Sequence, residues 1–381
     1  LATAIASACL IACAAASAQS AAPLLVKIGV AGPKSGPIGH LGQDDEYGAR
    51  MAIDDLNAKH VRIGGQPASF ELLSGDDAAN PKQAVAVAQQ LIDAGVSGVV
   101  GHLNSGSTIP ASKLYSDAGI VQISPSATNP KYTRQGYATA FRIIGDDTQL
   151  AASLAHVATV SFPGKRIAIL DDRTAYGAGI ADVFEREVKA AGGNIVSHTF
   201  ATGGNTDLAL AVAQIRRVSA DVVFYGGMDT DAGPLFREIS KDGANIAFMG
   251  GDGICTAELA KLAGPGLADG AVICAEAGGV GQEGQAKMET FRSRFLAKNG
   301  VEVQIYAPYT YDAVMVLAQA MTAAGSSDPQ RYLPEVKKIR HSGVTGQIAF
   351  DEKGDIVNGA FTLYTFNRGQ REQMMVYRPG D

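Results

Sequence analysis

Two short segments gather hydroxyls, amides and glycines in a pattern suited to gripping a carboxylate. One reads Gly101-His-Leu-Asn-Ser105-Gly-Ser-Thr108, with Pro110 shortly after; the other reads Ile123-Ser-Pro-Ser126-Ala-Thr128-Asn-Pro130. Each follows an apolar run that predicts a strand, and the first leads into a predicted helix. Hydroxyls and unbonded backbone N–H groups at a helix N-terminus favour an anion, because the aligned peptide dipoles leave positive charge there. Ordinary capping by Ser or Thr accounts for either segment taken alone. Patterns for covalent or cofactor chemistry are missing. Gly29-Val-Ala-Gly32 lacks the continuation of a dinucleotide loop, and no GxxxxGK[ST] phosphate loop occurs. Ser105 has Leu103 where a nucleophile elbow needs glycine. His40, His60, His102, His156, His198 and His341 are scattered without metal-ligand spacing, so they read as surface or packed histidines. The neighbouring acids Asp54-Asp55 and Asp76-Asp77 read as solvated faces or caps, since adjacent side chains point apart. A binding protein is therefore favoured over an enzyme, with no metal and no cofactor.

The elements that must position these segments alternate in type. Val26–Ala31, Phe70–Leu73, Val96–Gly101 and Ile120–Ser124 read as strands. Helices are predicted around Tyr47–Leu56, over Pro81–Asp93 and over Thr108–Ala118. A second cycle has helices over Leu150–Val160, Tyr176–Ala191 and Leu208–Val218, and strands over Arg166–Leu170, Asp221–Tyr225, Ile246–Met249 and Ala271–Cys274. Short apolar strands alternating with helices predict parallel sheets covered on both faces, here in two Rossmann-like α/β lobes. The last hundred residues add helices over Ala286–Lys298 and Tyr311–Ala324, a strand and turn over Gly346–Asp355, and strands over Phe361–Phe366 and Gln373–Tyr377. No Pro/Gly/Ser-rich linker sets them apart, so the chain is expected to recross between the lobes and finish both.

The bulk numbers agree with two globular cores. The 381 residues are 46% hydrophobic and 18% charged, with a formal net charge of −6 and no Trp. The scattered Lys and Arg do not form the basic stripe of a nucleic-acid binder. Leu1–Ala22 is uncharged, rich in Ala, Leu, Ile and Cys, and ends in Ala16-Ser17-Ala18 before Gln19. That is the pattern of a secretory signal lacking its basic start, with a membrane helix as the competing reading. Leu10-Ile-Ala-Cys13 also fits a lipoprotein box, which would tether the protein to the cell envelope through Cys13. The mature chain keeps Cys255 and Cys274, an even pair that reads as a disulfide in an exported protein; two buried free thiols are the alternative.

Together with Asp77-Ala-Ala-Asn-Pro-Lys-Gln83, Tyr225-Gly-Gly227 and Phe350-Asp-Glu-Lys-Gly354, the two hydroxyl-rich segments resemble the leucine/isoleucine/valine-binding proteins, periplasmic components of ATP-driven importers. The resemblance runs from about Val26 to Phe366. It implies a type I periplasmic binding fold: two lobes joined by a three-crossover hinge, residues 24–146 and 275–353 in one, 147–274 and 354–381 in the other. It implies an exported monomer that captures an aliphatic amino acid between the lobes and presents it to a membrane permease. Carried over by position, the Ser105 hydroxyl and Thr128 backbone N–H would hold the ligand carboxylate. The Ser126 carbonyl, the Thr128 hydroxyl and Asp252 would take the ammonium. Tyr176 would close over the ligand, and Leu103, Asn104 and Tyr306 would line the side-chain pocket. Met228 stands where leucine binders carry tyrosine, and Asn104 and Ala79 stand where some relatives form a disulfide. An aromatic acid or amide as ligand, or a sensing role for a receptor, are the alternatives.

Overall fold

A computed structural model describes residues 22–201, 205–241 and 245–377. The predicted signal segment and the lipoprotein cysteine Cys13 lie outside the described residues. Six strands form the first sheet: β1 (Leu24–Gly32), β2 (Arg62–Ile63), β3 (Gln66–Asp76), β4 (Gly98–Gly101), β5 (Gln122–Ser124) and β6 (Ala140–Arg142), in the order β2-β3-β1-β4-β5-β6. All its pairs are parallel except β2–β3. Its first three helices are α1 (Gly39–Ala58), α2 (Pro81–Asp93) and α3 (Ser105–Asp117). Asn80 caps α2 by accepting from the N–H groups of Lys82 and Gln83, and Pro81 occupies the first turn, where a missing N–H costs nothing.

The chain then enters a second sheet of seven strands. These are β7 (Arg166–Asp171), β8 (Asn194–Phe200), β9 (Val222–Gly226), β10 (Ala247–Gly250), β11 (Val272–Glu276), β14 (Phe361–Asn367) and β15 (Gln370–Tyr377), in the order β15-β14-β11-β10-β9-β7-β8. Helices α4 (Asp147–Ser161), α5 (Gly177–Ala190), α6 (Asn205–Arg217), α7 (Asp229–Ile239) and α8 (Leu259–Ala263) accompany it. The parallel-sheet expectation holds for β7 to β11 and not beyond, because β14 runs antiparallel to both β11 and β15. Only two residues separate β14 from β15, a connection too short for the crossover that parallel strands need.

Between β11 and β14 the chain returns to the first sheet. It supplies α9 (Gln282–Asn299), α10 (Ala307–Ala324) and α11 (Pro329–Lys337), then the small hairpin β12 (His341–Ser342) and β13 (Gln347–Ile348). Helix α10 lies on α1 and against β4, and α11 lies on α10. Three passages thus connect the sheets: β6 to α4, β11 to α9, and β13 to β14. One apolar cluster is continuous from Val26 and Ile28 of the first sheet to Ile167 and Phe224 of the second, through Leu103, Tyr176, Met228 and Tyr306.

Cys255 and Cys274 form a disulfide between the turn after β10 and strand β11. Closing a 19-residue separation stabilises the fold by about 3 kcal/mol in the chain-entropy model. Among the described residues no helix is long and apolar enough to cross a membrane, and no cluster of three or more His, Cys, Asp or Glu is arranged to hold a metal ion.

Candidate ligand-binding cleft

The carboxyl ends of β4 and β5 face the carboxyl ends of β9 and β10, which is where open α/β sheets place their sites. Gly101 ends β4 at φ +125, and a Cβ there would fall 2.2 Å from the Ala31 carbonyl oxygen, so only glycine lets the segment leave the sheet at this angle. The chain then runs through Leu103 and Asn104 into the first turn of α3. Asn104 sits at the cap position but makes no capping hydrogen bond, and its buried Oδ1 has no protein partner. Ser105 is 2% exposed, and its Oγ accepts the N–H of Asn129 at 3.2 Å, which leaves the hydroxyl proton free to donate. Ser126, from the segment after β5, donates to the Leu103 carbonyl at 2.9 Å and ties the two segments together.

On the opposite wall, Asp252 opens the turn after β10 and is 1% exposed. Its Oδ2 accepts the hydroxyl of Tyr306 at 2.9 Å, while its buried Oδ1 has no protein partner. Burial pushes the Asp252 carboxyl up to about 6, against the hydroxyls of Tyr176 and Tyr306, which hold it down. The Tyr176 hydroxyl accepts the N–H of Gly253 at 3.0 Å. Burial and the neighbouring Asp252 charge raise the Tyr176 hydroxyl well above its ordinary range, so it stays a neutral donor. A Cβ at Gly253 would fall 2.8 Å from the Tyr176 ring and 3.0 Å from the Met228 sulfur, so glycine is what lets these side chains close on the turn.

Leu103, Asn104, Ser105, Ser126, Tyr176, Met228, Asp252, Gly253 and Tyr306 together line one tight cleft with only about 10 Å³ of free volume. Eight of the nine residues singled out in the sequence therefore meet at one place, and Gly253 is the addition. Thr128 stands just behind the lining, fully buried, with its hydroxyl oxygen unpartnered. Tyr306, expected to line the side-chain pocket, lines the cleft and donates its hydroxyl to Asp252. A larger groove of about 620 Å³ lies elsewhere, along the three passages, lined by Ile144, Gly278, Lys287 and Asn358 among others. It gathers no such set of unpartnered polar groups.

Two contacts that sequence patterns did not flag hold this cleft in shape. Asp44 on α1 accepts the backbone N–H groups of Gln304, Ile305, Tyr306 and Ala307 at 2.8 to 3.1 Å, fixing the start of α10 and so the Tyr306 ring. His40, also on α1, places Nε2 2.8 Å from Asp229 Oδ2 at the start of α7, on the other sheet. Thr256 donates to the same oxygen at 2.6 Å. His102, read as a packed histidine, is one: it sits between Asp77 at 2.6 Å and the Tyr115 hydroxyl at 3.1 Å. Asp77 is fully buried and so not on a solvated face: the imidazole partners one oxygen, and the other accepts the Ala79 N–H at 2.9 Å, a local capping contact.

The arrangement can hold a small zwitterion. Hydroxyl and helix N-terminal donors occupy one wall, a buried acid with a free oxygen the other, and an apolar Leu103–Met228 surface lies between. Comparison with known proteins points the same way. A sequence model described as periplasmic binding protein matches residues 25–371. The chain is 35% identical over 349 residues to the "Leu/Ile/Val-binding protein homolog 1" of Brucella abortus, covering 91% of each. It is 33% identical over 344 residues to the "Leucine-, isoleucine-, valine-, threonine-, and alanine-binding protein" of Pseudomonas aeruginosa, covering 90% of each. The branched-chain amino acid transporter substrate-binding protein of Streptococcus pneumoniae, solved with isoleucine, superposes with a TM-score of 0.83 at 27% identity, over 93% of this chain and all of that one.

Proposed function

The chain belongs to the periplasmic binding protein family, and from that premise we propose that it captures a small aliphatic amino acid outside the cytoplasm and delivers it to the permease of an ABC importer. The relatives' ligands are branched-chain and other small amino acids, and their coverage of both chains is nearly complete. The observation that carries the assignment is the pairing of Ser105, whose hydroxyl proton is uncommitted, with Asp252, whose second oxygen lacks a donor, across one narrow cleft. An α-amino acid supplies both missing halves: a carboxylate for the first and an ammonium for the second. A buried charge without a partner is costly, so a site of this make-up selects against ligands lacking the cation.

In this reading Ser105 Oγ and the Thr128 N–H hold the carboxylate. The Ser126 carbonyl, the Thr128 hydroxyl and Asp252 hold the ammonium. Tyr176 closes from the second lobe, and Leu103, Asn104, Met228 and Tyr306 bound the side chain. The lobes are residues 24–146 with 275–353, and 147–274 with 354–381, moving about the three passages as a monomer. The protein is exported and performs no catalysis. A thermal-shift screen of the purified chain against the proteinogenic amino acids, their amides and benzoates tests the proposal. Leucine, isoleucine, valine or alanine should raise the melting temperature, since only the folded cleft binds them. A shift with benzoates and none with amino acids would overturn it.

A further inference from the structure

A groove of about 480 Å³ lies between the end of α1, helices α9 and α10, and the β12–β13 hairpin. None of its residues lines the cleft. Its floor is apolar, made by Phe291, Met315 and the Tyr311 ring, which meets Phe291 edge-on at 5.4 Å. Its rim is cationic: Lys59, Lys287, Arg294 and His341 all line it. An apolar floor with a few charged groups converging above it is the make-up of a small-molecule site.

The acids within reach of these cations are engaged elsewhere. Asp55 accepts Arg294 at 2.7 and 2.9 Å and the Tyr311 hydroxyl at 2.7 Å. Asp312 is fully buried and accepts the N–H groups of Val344 and Thr345 and the Thr345 hydroxyl, at 2.6 to 3.0 Å. Lys287 donates to the Ser342 hydroxyl at 3.1 Å, and neither Lys287 nor Lys59 forms an ion pair among the described residues. His341 Nδ1 lies 2.7 Å from Gln319 Oε1, so that nitrogen carries the proton and Nε2 is left without a protein partner. Burial, and after it the charges of Lys287 and Lys59, hold the His341 imidazole below its ordinary 6.5. Two ammonium groups thus converge on one imidazole, and Arg340, next in the chain, lines the neighbouring groove. The dipole of α1 accounts for Lys59, which follows the last turn of that helix. It does not account for Lys287, in the middle of α9, or for His341 on the hairpin.

We propose that this groove is a second ligand site, for a small organic anion: Lys59, Lys287 and His341 Nε2 hold a phosphate-type or carboxylate head, and Phe291 and Met315 take its apolar body. The head supplies the acceptor that all three nitrogens lack, by charge-assisted hydrogen bonds. It also makes protonation of His341 favourable, the proton coming from solvent onto Nε2. The body covers apolar surface that is otherwise wet, so an anion without one binds less well. The site is independent of the amino-acid reading of the cleft.

Calorimetry with phenyl phosphate at pH 7 and low ionic strength, in two buffers of different ionisation enthalpy, tests this on the parent chain, Lys287→Ala, Lys59→Ala and His341→Gln. Both lysines are exposed, so their variants should fold as the parent does. The expected result is binding at one site with net proton uptake, at least about fivefold tighter than inorganic phosphate. Lys287→Ala should weaken it at least about fivefold and Lys59→Ala about twofold or more, since exposed cations near an anion are partly screened. His341→Gln should abolish the proton uptake. No binding by the parent, equal binding of inorganic phosphate, or an affinity unchanged in Lys287→Ala would each overturn the proposal. Leucine titrated separately reports on the cleft, so the two readings fail independently.

Discussion

Asp252 carries one bonded and one unbonded oxygen, so its charge state answers to whatever enters the cleft. With its folded value raised to about 6, the ligand-free protein holds a proton there that the unfolded chain has already lost. This group therefore makes the ligand-free fold less stable as pH rises from the ordinary carboxylate range through about 6. An ammonium ligand reverses the preference. Leucine affinity should rise with pH up to about 6 and then level, a limb that calorimetry across pH 5 to 8 would trace and that Asp252→Ala should abolish. That variant should lose about 2–5 kcal/mol of binding, whereas Met228→Leu, close to volume-conserving, should lose less than about 1.5 kcal/mol. Equal losses would remove the acid from its assigned role. At this scale the hydroxyl-rich segments with Ser105 and Ser126 were legible from their place after strand ends, whereas Asp252 was reached only through the family resemblance; all three line one cleft. Asp147 and the Asp44 contacts were not legible. Nothing in Gly145-Asp-Asp-Thr148 distinguishes an acid that caps from one that is buried, and Asp44 meets partners 260 or more positions away.

Helix α10 begins where Asp44 receives four backbone N–H groups, and Tyr306 is the residue at its cap. Removing that acceptor leaves several buried donors unsatisfied, at about 1–3 kcal/mol each. Asp44→Ala should therefore cost about 3 kcal/mol or more of unfolding free energy, read from the denaturant midpoint. It should also weaken leucine binding, because the Tyr306 hydroxyl loses its aim at Asp252. An unchanged midpoint would refute the argument. Elements with strong apolar periodicity were readable to within a few residues: Pro81–Asp93 is a helix to the residue, and Arg166–Leu170 lies within β7. Elements with weak patterns were missed. Helix α7 contains Pro234 and three acids in the segment Asp229–Ile239, which hides its apolar face. Helix α11 contains Pro334, and β8 has no residue fully inside the core, consistent with an edge strand. The antiparallel β14–β15 pair was read as two strands without direction, since direction depends on the turn and not on side-chain pattern.

Across the whole molecule, the two sheets meet at the cleft mouth through His40 and Asp229. Burial lowers the His40 value, and the Asp229 carboxylate, with Glu258 and Asp44 behind it, outweighs burial and raises it above its ordinary 6.5. The charge on this contact is at full strength below the ordinary histidine range and is lost as pH climbs through the raised value, leaving a neutral hydrogen bond. Because it joins the lobes only when they are together, it favours the closed form. His40→Ala should weaken leucine binding a few-fold at pH 6 and by less at pH 9, where only a neutral hydrogen bond is lost; a loss of the same size at both would show that charge plays no part. With the Asp252 limb on the acid side, affinity should peak between the two. The three passages between the sheets carry a different consequence, for biogenesis. When a ribosome has made β1 through β6, the helix α10 that packs on one face of that sheet is still more than a hundred residues from being synthesised. The second sheet is likewise unfinished until β14 and β15 emerge last. Neither half can mature alone as it is made, so an apolar sheet face stays bare for most of translation, and the two halves reach their packed form together.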